Sequence, residues 1–197
     1  MHSSRHFAVW ATALAIHLAV STQAWANPQR YHLDAAASEV GFTVKVGQTP
    51  LSGQMPVARA DLMLDFSRAA DSRISVTLDA ARAKIGLPFA AAAMKGDQVL
   101  DTARFPEITF TSTRLKASGQ KASIAGHVTI RGITRPITLD AQLFRAQGSA
   151  KGDLDRLSVH ITGSIKRSDF GASGFAETVG DIVIVTIKAR ILRDGVN

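Results

Sequence analysis

The sequence predicts an all-β fold with a short helical insertion, and three observations predict it. Apolar residues recur at every second position along a series of short runs. Turn-forming residues separate those runs. One proline-led alanine stretch breaks the alternation. Many alternating strands within one domain give a sandwich or a closed barrel, and alternation by itself leaves both open.

The chain opens with a different signal. Arg5 is followed by an apolar run from Phe7 to Val20 and then by Ala24-Trp25-Ala26. A basic start, a short apolar stretch and a small-x-small site describe a secretory signal peptide. The run is broken by Thr12 and His17 and falls short of the ~20 residues of a membrane-spanning helix. The expectation is a signal peptide over residues 1–26, cleaved after Ala26, and a single barrel domain over residues 27–197. The chain has no cysteine, so an exported form is held by its core alone. A bacterial periplasm suits such a protein.

The first expected strand runs from Ser38 to Val46, where Val40, Phe42, Val44 and Val46 face one way and Glu39, Gly41, Thr43 and Lys45 the other. Leu62 and Leu64 suggest a strand from Val57 to Asp65, and Ile74, Val76 and Leu78 alternate with Ser75 and Thr77. Then Pro88-Phe89 and four alanines up to Met94 read as helix, with the proline tolerated in the first turn and Gly96 and Pro106 limiting its length. One or two short helices are expected here. Beyond them, Ile108 and Phe110 alternate with Thr109 and Thr111, and Ile124, Gly126, Val128 and Ile130 with Ser123, His127 and Thr129. Ile137, Leu139, Ala141 and Leu143 form a further inward set, as do Leu157, Val159, Ile161, Gly163 and Ile165. The last strand, from Asp181 to Ile191, is apolar on both faces in its first half, which predicts a cover over its outer face. The count is seven to nine strands. Glycine at 126 and 163, mid-strand on apolar faces, marks a bend or a close approach to the backbone.

Composition narrows the function. Residues 27–197 carry a net charge of +6, but their basic residues are scattered and Tyr31 is the one tyrosine, so a base-stacking surface for nucleic acid is not expected. Transient contact with an anionic membrane surface is compatible with this charge. His32, His127 and His160 lie far apart in sequence, and the last two sit on outward faces, so no metal site is expected. Asp153 and Asp155 are too few for a calcium loop. No nucleophile elbow, P-loop or dinucleotide fingerprint occurs, and no catalytic residue is assigned.

A series of ordered motifs is more specific. Tyr31-His32-Leu33-Asp34 leads into Ser38-Glu39-Val40-Gly41-Phe42-Thr43-Val44. Asp101-Thr102-Ala103-Arg104-Phe105-Pro106-Glu107-Ile108-Thr109-Phe110-Thr111-Ser112 follows. Gly126-His127-Val128-Thr129-Ile130-Arg131-Gly132-Ile133-Thr134-Arg135-Pro136-Ile137-Thr138-Leu139 comes next, then Ile165-Lys166-Arg167-Ser168-Asp169-Phe170-Gly171 and Val179-Gly180-Asp181. The series, from about Tyr31 to Arg193, resembles the YceI-like family of periplasmic polyisoprenoid-binding, lipocalin-like proteins. The resemblance implies an antiparallel, lipocalin-like eight-stranded β-barrel around an elongated apolar cavity. It implies a bound polyisoprenoid lipid, an isoprenoid quinone or another long-chain amphiphile, and neither a catalytic residue nor a metal or further cofactor.

The cavity so implied would be lined by the inward residues Phe42, Val44, Ile108, Phe110, Val128, Ile161 and Gly163. Phe89 and Met94 of the helical segment would join them, with Leu100 and Phe170. The family pattern often places a histidine where this chain has Val46, and a charged stretch where it has Ala90 to Met94. Loss of polar groups at a cavity mouth leaves the head of a ligand unspecified. Two functions follow as expectations. One is carriage or storage of lipid in the barrel. The other is a non-catalytic accessory role in envelope stress or respiration, exercised through a protein partner. Oligomeric state is not legible.

Overall fold

The computed structural model describes residues 27–145 and 148–195. The expected signal peptide and its cleavage site at Ala26 lie outside the described residues. In chain order the strands are β1 (Gln29–Leu33), β2 (Glu39–Val46), β3 (Thr49–Gln54), β4 (Val57–Leu64), β5 (Arg73–Asp79) and β6 (Lys84–Ile85). After helix α1 (Pro88–Lys95) come β7 (Glu107–Ser118), β8 (Lys121–Ile130), β9 (Ile133–Arg145), β10 (Arg156–Lys166) and β11 (Val179–Arg193).

The strands form an antiparallel barrel. Neighbours run β1-β4-β5-β7-β8-β9-β10-β11, and β11 returns to pair with β1, which closes eight strands into a ring. The 15-residue β11 is the seam. Its C-terminal end pairs Ile191 with Leu33 and Arg193 with Tyr31, while its N-terminal part pairs Val183 with Val44 and Lys188 with Glu39 of β2. Strands β2, β3 and β6 therefore continue the wall beyond the ring. The bend between β1 and β2 has a local cause. The Asp34 side chain accepts a hydrogen bond from Ala37 N at 3.2 Å, and the Asp34 N–H donates to Arg190 O at 2.9 Å, so one 3-10 turn redirects the chain along the same neighbour.

These pairings account for the difference between seven to nine expected strands and eleven observed ones. β1, β3 and β6 are short, and β3 and β6 carry almost no alternation. The expected helical segment is one α-helix, closed by Gly96, whose N–H donates to Ala92 O and Ala93 O.

One expectation is corrected. Among the described residues no layer covers the outer face of β11. Ile182 and Ile184 are 48% and 51% exposed. Their side neighbours, Lys166 and Ser164 on β10 and Thr43 on β2, lie in the same sheet. The helix sits at one end of the barrel rather than on its flank, so the second apolar face of this strand remains open to water.

The two ends differ. At the end where β1 begins, Tyr31, Leu62, Leu157 and Ile191 form a buried cluster. The Tyr31 hydroxyl donates to Leu154 O at 2.9 Å, and its ring meets Phe66 edge-on at 5.7 Å. Burial pushes the Tyr31 phenol above its usual pKa, with a smaller opposing pull from Arg193. Beside this cluster the Asp65 carboxylate accepts from Ser67 Oγ and from the backbone N–H groups of Arg68, Asn27 and Ser67. Those bonds hold its pKa at about 2. The opposite end carries α1, the segment that follows it, the β2–β3 hairpin and residues 167–178.

Candidate ligand cavity

Inward side chains of an eight-stranded barrel either fill it or line a space. Here they line a space of about 810 Å³, which reaches from Phe66 and Gln120 at one end to Phe89 and Phe175 at the other. That volume lies within the range of small-molecule sites, ~300–1,000 Å³. The wall is almost entirely hydrocarbon. The polar residues that reach it are Ser38, Thr49, Gln120, Lys121, Arg167 and Thr178. Among the described residues no buried side-chain nitrogen or oxygen lacks a hydrogen-bond partner.

The expected lining residues converge on this space with one exception. Phe42 and Val44 enter from β2, Ile108 and Phe110 from β7, Val128 from β8 and Ile161 from β10. Phe89 and Met94 enter from α1, Leu100 from the segment after it and Phe170 from the turn after β10. Gly163 does not line the cavity. It lies on the inward face of β10, but the Leu139 side chain of β9 rests directly on it, so closely that a Cβ at 163 would collide with Leu139 Cδ2. Gly126 is crowded by backbone and side chain together: a Cβ there would lie 2.5 Å from Thr111 O and 2.6 Å from the Phe110 ring. Both glycines make room for a neighbouring side chain, not for a ligand.

Other lining residues were not singled out from the sequence. Leu62, Val76 and Leu78 on β4 and β5, and Val183 and Val185 on β11, follow the same period-two signal as the chosen positions. Phe175 is different. It lies in a loop between β10 and β11, where periodicity carries no information.

The mouth is shaped by two arginines. Arg131 Nη1 donates to Asp97 O at 2.8 Å and to Val99 O at 2.6 Å, which pins the segment after α1. Arg167 is 7% exposed and spends its guanidinium on four backbone carbonyls. Nε donates to Gly180 O at 3.0 Å, Nη2 to Val179 O at 2.8 Å, and Nη1 to Gly174 O at 2.7 Å and to Ala172 O. Asp181 joins this region by accepting from Ser168 N at 2.9 Å and Ser168 Oγ at 2.8 Å, bonds that hold its carboxyl below the ordinary 3.8. The guanidinium of Arg167 is thus committed to backbone rather than turned toward the cavity.

Backbone strain collects at the same end. Among the described residues, the non-glycine residues with positive φ are Asp101 (50°), Arg131 (52°) and Phe175 (59°). Such a conformation costs on the order of 1–3 kcal/mol and persists where neighbours impose it. For Phe175 they are Thr178 and Val179, whose N–H groups donate to Phe175 O at 3.0 and 2.8 Å.

An apolar enclosure of this kind offers displacement of water from a long hydrocarbon chain. Among the described residues no group of three histidines or carboxylates is placed to hold a metal ion. His127 and His160 are exposed on the outer surface, the latter 4.8 Å from the Phe144 ring.

Comparison with known proteins agrees with this architecture. Residues 31–191 match the model of the YceI-like domain. Protein YceI of Salmonella arizonae is 38% identical over 77 residues, which cover 39% of this chain and 40% of that protein. The aligned segment thus spans well under half the length of these relatives. Among solved structures, Burkholderia cenocepacia BcnA superposes with a TM-score of 0.71 at 22% identity, over 81% of this chain and 99% of that one. A polyisoprenoid binding domain from Saccharophagus degradans, implicated in plant cell wall breakdown, superposes with a TM-score of 0.60 at 16% identity, over 84% and 99%.

Proposed function

The chain belongs to the YceI-like domain family, and from that membership and its hydrocarbon-lined cavity we propose that it binds a polyisoprenoid or related long-chain amphiphile, such as an isoprenoid quinone, and carries or stores it in the periplasm after export. The observation that carries this reading is the wall of the ~810 Å³ cavity, in which polar residues are few and, among the described residues, no buried side-chain polar atom is left unpaired to fix a head. The name of the Saccharophagus degradans domain supports the ligand class. The apolar Ala90-to-Met94 stretch along α1 supports weak discrimination of the head.

The energetics are adequate. Hiding ~500 Å² of prenyl chain at ~25 cal/mol/Å² is worth on the order of 12 kcal/mol before binding costs. Several kcal/mol of that offset the lost motion of ligand and protein. Affinity then follows the length and girth of the chain. Two lipids of equal chain length, one a quinone and one a prenyl alcohol, bind within about tenfold of each other, whereas shortening the chain by several units weakens binding more, at ~0.8 kcal/mol per buried methylene-sized group.

The test is extraction of the protein purified from an exporting host, mass spectrometry of the extract, and competition binding with matched lipids. A stoichiometric prenyl lipid that exchanges with added lipid is the expected result. A barrel that takes up no prenyl lipid, or one that follows head group and ignores chain length, overturns the reading.

A further inference from the structure

Among the described residues, six of the eight large apolar side chains that stand exposed lie toward one end of the barrel, the end that carries α1. Four of them come from three separate parts of the chain and form the rim of the cavity while also facing water. They are Val46 in the β2–β3 hairpin, Leu87 and Phe89 at the start of α1, and Phe175 in the loop before β11. Phe89 is 73% exposed, the highest value among the large apolar side chains of the described residues, and α1 has no buried residue. Phe175 is half exposed although its backbone is held in the strained left-handed region. An aromatic residue that gains little burial from a conformation that opposes it is the kind of outlier that points to a role outside the fold.

We propose that this rim docks on a phospholipid bilayer, with Phe89 and Phe175 entering the headgroup layer so that the barrel cavity opens onto the acyl region. The proposal rests on the lipid-binding reading above for its purpose, but its geometry is independent. The shape of the patch favours lipid over a protein partner. The apolar residues form a ring around an opening, and the ring is continuous with the hydrocarbon wall behind it. A protein seated on such a ring would have to send a plug into its centre, whereas a bilayer fills ring and opening with one material. Charge does not oppose the approach. Lys45, Lys95 and Lys166 at this end stand against Asp97, Asp169 and Glu177, and residues 27–197 together carry +6, which attracts an anionic surface at long range. Attachment itself depends on apolar insertion, so it changes little with salt once formed.

Co-sedimentation with vesicles of phosphatidylethanolamine and phosphatidylglycerol tests this without any prenyl lipid. An empty cavity and a failed docking surface are therefore told apart. The native protein sediments with vesicles, and Phe89→Ser weakens this about tenfold. Phe175→Gly weakens it similarly while the melting temperature holds or rises, because glycine relieves the positive φ. Phe144→Ser, on the barrel flank, leaves it unchanged. Because the chain has no cysteine, single Phe89→Cys, Phe175→Cys and Phe144→Cys variants can carry an environment-sensitive fluorophore. Vesicles shift its emission to the blue at 89 and 175 and not at 144. Equal shifts at all three positions, or vesicle binding untouched by Phe175→Gly, overturn the proposal. A blue shift at 89 and 175 that grows with protein concentration in the absence of vesicles overturns it too, in favour of a second copy as the occupant.

Discussion

Replacing Arg167 by methionine decides whether this buried charge at the mouth serves the fold or the ligand. Methionine keeps the length and apolar stem of the side chain and removes the guanidinium. Four carbonyls, at residues 172, 174, 179 and 180, then lose a donor. A hydrogen bond to a charged group contributes ~1.5–3 kcal/mol, but these carbonyls lie near a mouth that water reaches, so a net of ~1 kcal/mol each is the working value. The total is ~4 kcal/mol, and at ~2–4 °C per kcal/mol for a domain of this size the melting temperature falls by about 8–16 °C. Arg167→Lys keeps the charge but cannot reach four acceptors from one planar fork, so it falls between the two. The assay is thermal melting followed by circular dichroism, paired with competition between lipids of equal chain length and different heads. A structural clamp lowers the melting temperature and leaves the head-group ratio unchanged. A melting temperature within about 2 °C of the native protein, together with a changed head-group ratio, would refute the clamp and return Arg167 to the ligand.

Three further outcomes are expected. Gly163→Phe drives Leu139 off its seat and into the cavity; overpacking of this kind costs ~1–3 kcal/mol, so melting temperature and prenyl-lipid uptake fall together, and a variant unchanged in both would show that Leu139 does not rest there. Asp65, with a folded-state pKa of about 2 against an ordinary 3.8, contributes stability that is complete above pH ~4 and fades as pH falls through 2; chemical denaturation at pH 5 and pH 2.5 should show a smaller acid loss in Asp65→Asn than in the native protein, and equal losses would remove the carboxylate from the account. N-terminal sequencing of protein recovered from an exporting host should begin at Asn27, and a soluble pool that keeps Ala24-Trp25-Ala26 would contradict processing at that site.

How far the sequence reaches can be traced residue by residue. The inward faces of β5, β7, β8, β9 and β10 are legible because each is a half-buried strand, polar on the water side and apolar on the other. Alternation identifies which face of β10 carries position 163, but not whether a neighbour already covers that position. That depends on the reach of Leu139 across to the next strand, a contact between residues 24 apart in the chain. The outer face of β11 misled for a related reason. Ile182 and Ile184 satisfy the pattern of a doubly buried strand, yet among the described residues no element covers them, because the helix is used at the mouth. The mouth was the least legible part. Phe175 and the backbone partners of Arg131 and Arg167 lie in segments without a repeat, and the fold alone brings residues 97–99 beneath Arg131.

The two arginines also bear on how an apolar mouth stays open in water. A ring of phenylalanine, leucine and valine lowers its free energy by closing on itself, since contact within the ring removes hydrocarbon from water. Side-chain packing cannot resist this, because such side chains gain as much from one another as from a ligand. Backbone hydrogen bonds can resist it, because they fix where the loops run regardless of what their side chains prefer. Arg131 holds Asp97 and Val99, and Arg167 holds Ala172 and Gly174 before Phe175 and Val179 and Gly180 after it, all by their carbonyls. The charges at this end thereby set the width of the opening, and the hydrocarbon of the rim is left free to meet whatever enters. This division of labour explains why a wall so poor in polar groups retains a buried guanidinium beside it: the arginine excludes collapse, where a head-reading residue would instead have its donors turned inward and unpaired until a ligand arrived.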